Sequence, residues 1–350
     1  MTAPAAQRRL LPFRNGTRQR RRKIGTIPFV VSSSGTPLEL PKVGYLSKLI
    51  FQLRGTIDSG AAVTFADLGP WNILSRIRVN TNIGQASLVD VSGFGAHVMQ
   101  RTIWRGWTPD SAGVGSTTPN ADIHAAPVAN ALGQAVVLTW EVPLSINSGP
   151  NFETGLFNLQ APDVRVTIEP VFGALTDYGT NVTAAALTLH CYMEFYEVPD
   201  PRVFSMPPLA IVRWLEDQQP VTQTGENIYT VPRGGTLLNL AHVVQLNGAR
   251  SDSVDSLEIK FNKTDSVYLA ERQWHRVIER ELYELLPVTG VFYHDWYEAY
   301  AEVNRGDVRD AIDSEAITTL DSIVNVTSGA VLGANNNFLK AVRRILQVLA

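Results

Sequence analysis

The sequence is poor in cysteine, in charged residues and in long hydrophobic runs, and each shortage excludes a class of protein. A single cysteine, Cys191, among 350 residues excludes an intrachain disulfide framework and a zinc site built from cysteines. No apolar run approaches the ~18–20 residues of a transmembrane helix. The cations near the N-terminus are not followed by an apolar segment, so no secretory signal is expected. We therefore expect a soluble chain.

The composition that remains favours two β-rich domains. Hydrophobic residues make up 45% of the chain and charged residues 18%, which is enough apolar material for a sizeable core. A chain of 350 residues is long for one domain and suits two of about 150–200 residues each. The 26 glycines and 20 prolines indicate many turns.

The charge is unevenly distributed, because a basic N-terminal arm precedes an acidic body. Residues 1–38 hold eight of the 30 cations and no acid, which leaves 22 cations against 33 acids, or −11, for the rest. The eight cations are Arg8, Arg9, Arg14, Arg18, Arg20, Arg21, Arg22 and Lys23. This composition predicts that residues 1–23 are mobile until they bind a partner. We expect a polyanion as that partner, either nucleic acid or an anionic membrane, whereas the simpler alternative is a solvated tail without a partner.

Hydrophobic side chains alternate with polar ones in several segments, which is the pattern of half-buried β-strands. The alternating segments are 48–54, 71–79, 164–169 and 187–196 in the first half and 238–246 and 257–261 in the second. Clusters of glycine, proline, asparagine and serine separate them, as in antiparallel sheets with one solvated face. Trp71 and Trp140 also lie in strand patterns, and we expect them in the core or in contacts between subunits.

One segment has the spacing of three and four residues that is typical of a helix, and the equivalent stretch of the first half is a shorter helix candidate. The stronger one covers 267–286, with Asp265 as N-cap, Pro287 as a stop and Trp274 on the buried stripe. The weaker one covers 93–104. The segment 338–349 fits both a helix and a strand, and both alternatives remain open.

The two halves of the chain have the same order of elements. The segment 198–208 has four prolines in eleven residues, so it cannot lie inside a central strand or helix, and a domain boundary is expected there. We predict an all-β fold of two tandem eight-stranded jelly-roll sandwiches, each with a short inserted helix, behind a disordered or extended N-terminal arm. The predicted domains are the arm over 1–25, the first roll over 26–204 and the second roll over 205–350.

Residues of catalytic type are present, but not in the spacing that catalysis needs. Cys191 and His190 are neighbours on a predicted strand and point to opposite faces, so they cannot form a nucleophile–base pair, and we expect Cys191 to be a buried, inert thiol. No serine elbow, HExxH motif or phosphate-binding loop occurs. The six histidines show no close ligand spacing, so neither a metal nor a cofactor is expected. The sequence therefore predicts a protein that is not an enzyme.

Two other functions remain as alternatives. Glu194, Asp295 and Glu298 could flank a sugar in a glycosidase cleft, which requires two carboxylates to approach within about 5–10 Å. Trp104 and Trp107 could form the exposed aromatic patch of a carbohydrate-binding or adhesion protein, such as a viral spike built from two β-sandwiches.

Three short sequence segments accompany this pattern of two sandwiches, a basic arm and a proline-rich linker. They are LPKVGYL at 40–46, TGLFNLQ at 154–160 and PRGGTLL at 232–238. Together these features resemble the double jelly-roll major capsid proteins of icosahedral, tailless viruses, which often contain an internal membrane. The resemblance covers nearly all of 26–350.

The resemblance implies a homotrimer in which two rolls per copy form a pseudo-hexagonal capsomer. Neighbouring capsomers and minor capsid or vertex proteins would be further partners, and no small-molecule substrate is implied. The sandwiches would stand roughly normal to the shell, and the eight cations of the arm would face the viral genome or an internal membrane. The implied location is the virion, with the host cytoplasm during assembly, and bacteriophages are among the implied sources.

Overall fold

Two β-sandwiches fill most of the chain. The computed structural model describes residues 10–83, 87–103, 132–149, 152–207, 210–285, 287–297, 311–334 and 336–348. Within these stretches no helix is both long and apolar enough to span a membrane.

The described elements are mostly strands. In the first half they are β1 (Gln19–Pro28), β2 (Leu38–Glu39), β3 (Tyr45–Ser59), β4 (Arg76–Thr81), β5 (Ser87–Val91), β6 (Gln134–Pro143), β7 (Ile146–Gly149), β8 (Phe152–Thr154), β9 (Phe157–Asn158), β10 (Val166–Val171) and β11 (Val182–Tyr196). In the second half they are β12 (Ala210–Pro220), β13 (Gly225–Thr230), β14 (Thr236–Leu246), β15 (Ala249–Arg250), β16 (Val254–Phe261), β17 (Asp265–Glu271), β18 (Val291–Asp295), β19 (Ile312–Asp313), β20 (Leu320–Val326) and β21 (Phe338–Val348). The helices are α1 (Gly93–Ile103), α2 (Leu175–Tyr178) and α3 (Arg272–Glu281), with 3-10 turns at Phe13–Gly16 and Trp71–Ile73.

The main strands form two outer sheets and one central sheet that the two rolls share. The outer sheets have the orders β1-β11-β3-β6 and β13-β20-β16-β17. The central sheet has the order β15-β14-β21-β12-β5-β4-β10-β2, with β18 and β19 paired to β14. Its pairings are antiparallel except for β12 and β5, which run parallel with Trp214 opposite Val89. The sheet passes from the first roll to the second at this pair.

The strand pairings repeat between the two halves. The series β1, β11, β3 and β6 pairs in the same order as β12, β21, β14 and β18. The facing sheet repeats as well, because β5-β4-β10-β2 matches β17-β16-β20-β13. A helix follows β5 in the first roll and β17 in the second. The predicted all-β fold of two jelly rolls is confirmed, whereas the domain limits at 25 and 204 stay predictions.

Alternating side chains form two large apolar cores and one small cluster around Phe13 in the described residues. The larger core contains Trp71 and Trp140 from the first roll together with Trp214 and Val342 from the second. All four side chains are almost completely buried. A second core lies within the second roll alone. Because the larger core crosses between the rolls, their interface is packed like a protein interior.

The helix predicted over 267–286 is wrong in its first part, and it ends at Glu281 instead of continuing to Pro287. Residues up to Glu271 form β17, which pairs with β16, and Asp265 begins that strand instead of capping a helix. The helix α3 starts at Arg272, with Glu271 as its N-cap residue. Trp274 is 60% exposed and does not lie on a buried stripe. The spacing of three and four residues arose because two short elements happen to follow each other, and pairing with β16 outweighs helix propensity here.

Three other predicted segments can be assigned to a helix, a strand, and a turn followed by a strand. The weaker helix predicted over 93–104 is α1, and the segment 338–349 is the strand β21. The predicted strand over 71–79 begins only at Arg76, because Trp71 lies in a 3-10 turn where the Leu74 N–H donates to the Trp71 carbonyl oxygen. Trp71 is nevertheless buried, as predicted.

Candidate polyanion-contact surface

The second half of the basic arm is a strand of the first roll. β1 pairs antiparallel with β11, from Gln19 opposite Tyr196 to Pro28 opposite Thr188. Ile27 on this strand is buried in the core. The prediction that residues 1–23 are mobile until bound is therefore wrong for 19–23, since backbone pairing holds them to the sandwich.

The segment just before β1 is held by aromatic packing and by the linker between the rolls. The Phe13 ring lies 5.7 Å from the Tyr45 ring and 5.9 Å from the Tyr196 ring, edge-on to both. The Leu11 N–H donates to the Val203 carbonyl oxygen at 2.9 Å. The start of the described chain is thus attached to the same end of the first roll as the linker.

Six of the eight predicted contact cations lie in the described residues, and all six are exposed. They are Arg14, Arg18, Arg20, Arg21, Arg22 and Lys23. Arg20 Nε donates to Glu197 at 2.8 Å, and Arg21 Nε donates to Glu194 at 2.8 Å. The Arg20–Glu197 pair is about half exposed on both sides, so it contributes little to stability. Arg8 and Arg9 lie outside the described residues.

Strand alternation divides the β1 cations between two faces. Arg20 and Arg22 share one face, whereas Arg21 and Lys23 lie on the outer face of the sheet. On that face Arg54 Nη2 lies 3.3 Å from His190 Nδ1. Burial and the charges of Arg54 and Lys23 lower the pKa of His190, so the ring is neutral at pH 7.

We call this outer surface the basic face. It is made of Arg21, Lys23, Lys48 and Arg54. Its acids are Glu194, which accepts from Arg21 and lies 3.7 Å from Lys48, Glu141, which accepts from Lys48 at 2.8 Å, and Asp58 at the far end of β3. Because cations outnumber acids, the face can attract phosphate groups without reading a base sequence.

The residues proposed for catalysis are not brought together. Cys191 is fully buried, and burial raises the pKa of its thiol to about 12, which confirms an inert thiol. Glu194 lies on the outer face of the first roll, whereas Asp295 is buried in the second roll and accepts from Asn239 Nδ2 at 2.6 Å. Glu298 lies outside the described residues, as do Trp104 and Trp107 of the carbohydrate-binding alternative.

Sequence reasoning missed a buried cluster of three histidines in the second roll. The His294 ring on β18 lies 6.0 Å from the His242 ring on β14 and 5.0 Å from the His275 ring on α3. Burial, with a smaller effect of His275, lowers the pKa of His242 to about 3 and that of His294 well below its ordinary value. Their positions in the sequence give no signal, because only the strand pairing brings them together.

Neighbouring polar groups hold the histidine cluster. His242 Nε2 lies 2.7 Å from Ser322 Oγ, and the Tyr268 hydroxyl contacts His275 Nδ1. The carboxylate of Glu279 lies 3.4 Å from His275 Nε2. The described residues contain no group of three side chains that could ligate a metal ion. The ring contacts of His275 with Tyr268 and His294 pack α3 against β17 and β18.

The fold of the chain, and not its sequence, matches known proteins. No protein-family model matches the chain, and no curated protein does. The major capsid protein of Sulfolobus Turreted Icosahedral Virus matches with a TM-score of 0.71 at 12% identity, over 95% of this chain and 97% of that one. This chain has the fold of double jelly-roll major capsid proteins.

Two more structures have the same double jelly-roll fold. PBCV-1 VP54 matches with a TM-score of 0.63 at 9% identity, over 98% of this chain and 95% of that one. The major capsid protein P2 of bacteriophage PM2 matches with a TM-score of 0.55 at 11% identity, over 95% of this chain and 98% of that one. The resemblance found in the sequence is confirmed at the level of the fold, and each match covers both rolls.

Proposed function

We propose that this chain is the major capsid protein of an icosahedral virus. Its trimers form pseudo-hexagonal capsomers, which join neighbouring capsomers and minor capsid or vertex proteins in the shell. The observation that carries the proposal is the match to capsid proteins over both rolls and nearly the whole of each chain. The proposed location is the virion, after assembly in the host cytoplasm. Packing, not catalysis, is the mechanism, because symmetric contacts between copies close the capsomer.

Light scattering of the purified chain after size exclusion tests the assembly. We expect a particle of three times the chain mass of 38.4 kDa, and shell-like particles in electron micrographs at high protein concentration. A chain that stays monomeric at every concentration contradicts the proposal. A monomer that binds glycans would instead support the adhesion protein considered above.

We also propose that the arm before β1 meets a polyanion inside the particle, either the genome or an internal membrane. The uniform charge of residues 8–18 supports this, since the described cations there, Arg14 and Arg18, are exposed. Such binding releases counterions, so it weakens steeply with salt.

A charge-removal variant tests the arm. The triple change Arg8→Gln, Arg9→Gln and Arg18→Gln should reduce the slope of log K against log salt by about 0.9 for each lost contact with duplex DNA. Fluorescence anisotropy with DNA and co-sedimentation with anionic vesicles separate the two partners. The matched control replaces Arg78, Arg165 and Arg280 by Gln, which should leave both measurements unchanged. Equal losses in the two triple variants would show that only overall charge matters.

A further inference from the structure

The two rolls of one chain join through an edge strand of each. β5 at the edge of the first roll pairs in parallel with β12 at the edge of the second. Arg213 Nε on β12 donates to the Ser87 carbonyl oxygen on β5 at 2.8 Å. The helix α1, which follows β5, packs between β6 of the first roll and β14 and β21 of the second. A Cβ on Gly95 of this helix would come within 2.3 Å of the Glu216 carboxylate.

The internal repeat leaves the equivalent strands unpaired on their outer sides. In the strand correspondence given above, β17 is the counterpart of β5, and β1 is the counterpart of β12. Each is the last strand of its sheet, and no strand in the described part of the chain pairs with its outer side. Each roll therefore carries one of the two edge strands that a second junction of this kind needs. Unpaired edges of this kind readily accept another strand.

We propose that β17 of one copy pairs in parallel with β1 of the next copy, which continues the sheet of the second roll into the neighbouring first roll. The inference rests on the self-assembly proposed above and names the surfaces that perform it. The internal junction supplies the register. Trp214, the fifth residue of β12, lies opposite Val89, which is four residues before α1. The corresponding residues are Lys23, fifth in β1, and Tyr268, four residues before α3.

The exposed side chains around β17 have the composition of an interface. Val267 is 46% exposed and Leu269 is 64% exposed on the strand, and Trp274 is 60% exposed and Val277 is 43% exposed on α3. In contrast, the described side chains of α1 are buried, because the helix packs against β6 of its own roll and also against β14 and β21 of the second roll. Concentrated apolar side chains with an exposed tryptophan are typical of an uncovered contact surface. Since Trp274 and Gly95 are the third residues of their helices, the tryptophan would project into the neighbour.

The charges of the two edges are complementary. Over 19–23 the exposed charged residues of β1 are all cations, Arg20, Arg21, Arg22 and Lys23. Over 263–284 the exposed acids are Asp265, Glu271, Glu281 and Glu284, and the exposed cations are Lys263 and Arg280. Opposite charges would favour the correct edge over a like edge, since two β1 strands would repel each other.

A head-to-tail contact of this kind forms a closed ring when the rotation between copies is right. Three copies contain six rolls and therefore six junctions, three within chains and three between chains. If the two kinds of junction turn by the same angle, each turns by about 60° and the ring closes at three copies. The second copy of the chain is thus the partner that fits both edges.

Cysteine cross-linking tests the contact directly, because Cys191 is buried and its pKa is raised, so the background is unreactive. In the register above, Arg22 lies opposite Val267 of the next copy. The double variant Arg22→Cys and Val267→Cys should give covalent oligomers that end at three copies on a non-reducing gel. The matched control is Arg22→Cys with Ile228→Cys, because Ile228 is 50% exposed on β13, at the other edge of the same sheet. The control should stay a single chain.

A single substitution provides a second measurement. Trp274→Glu should raise the dissociation constant between copies at least about 30-fold, with an unchanged circular dichroism spectrum. Val331→Glu is its control, because Val331 is 74% exposed and lies outside β1, β17 and α3. If the parent chain forms trimers but the control pair cross-links instead, or Trp274→Glu leaves the trimers intact, this contact is wrong while the proposed function stands. A parent chain that never associates, with neither pair cross-linked, overturns both.

Discussion

At the scale of single residues, the buried histidines are the groups that acid should affect first. His242 and His294 are fully buried, and their pKa values are lowered chiefly by burial. Each is neutral in the folded protein and takes up a proton readily only after unfolding. The pKa of a histidine in the unfolded chain is about 6.5. Above this pH the free energy of unfolding has its full value, and it decreases as pH falls from 6.5 towards the lower pKa of the histidine in the folded chain.

The expected result is a steep loss of stability in mild acid. Between pH 6.5 and 4.5 the free energy of unfolding should fall by about 1.4 kcal/mol per pH unit for each histidine that stays neutral in the fold. His242→Gln should reduce this slope by about one such increment, measured by urea unfolding at several pH values. The control His190→Gln should change the slope less, since that ring is only half-buried. An unchanged slope in His242→Gln would mean that other groups control the response.

At the scale of elements, an element could be predicted when the sequence pattern alone indicates it, and not when pairing with another strand determines its structure. The helix at 93–104 was predicted from its place in the repeated order of elements, since all its described side chains are buried and no polar face marks it. The strand at 265–271 was not, because its spacing also fits a helix, whereas its structure comes from hairpin pairing with β16. The same holds for β1, whose charges predict disorder while Ile27 and pairing with β11 fix the strand.

The candidate site shows the same division between local and long-range information. The eight cations can be counted in the sequence, but their assignment to two faces needs the register with β11. The histidine cluster needs three elements that are far apart in the chain, so no local spacing predicts it. The contact edges of β1 and β17 follow only from the order of strands in the sheets.

One element-scale prediction concerns the attachment of the segment before β1. Phe13 is 3% exposed and packs against Tyr45 and Tyr196. Phe13→Ala removes this contact, and we expect local unfolding of the segment, because a buried phenylalanine contributes about 3–5 kcal/mol. Limited trypsin digestion followed by mass spectrometry should show faster cleavage after Arg14, while the sandwich core remains intact. Leu10→Ala is the control, since Leu10 is already 44% exposed. Equal cleavage rates in both variants would contradict the anchoring role of Phe13.

At the scale of the whole molecule, several contacts join the rolls into one mechanical unit. The central sheet is continuous across the β5–β12 pair, and the larger core contains side chains from both halves. Asp67 of the first roll accepts from Gln245 Nε2 at 3.1 Å and from the Arg250 N–H at 2.9 Å in the second. In the capsomer proposed above, such a rigid pair would fix the angle between the two rolls of each copy.

This coupling predicts a single unfolding transition for the whole chain. Trp214 of the second roll is fully buried in the shared core, and its Nε1 donates to the Pro143 carbonyl oxygen of the first roll at 2.9 Å. Trp214→Ala should therefore lower the free energy of unfolding of both rolls together, by about 3–5 kcal/mol. Differential scanning calorimetry should show one peak, shifted to lower temperature but not split. Val331→Ala, at a side chain that is 74% exposed, should change the free energy of unfolding by less than about 0.5 kcal/mol and leave the peak nearly in place. Two peaks in the parent chain, or a shift confined to one of two peaks in Trp214→Ala, would show that the rolls unfold independently and that the shared core does not couple them.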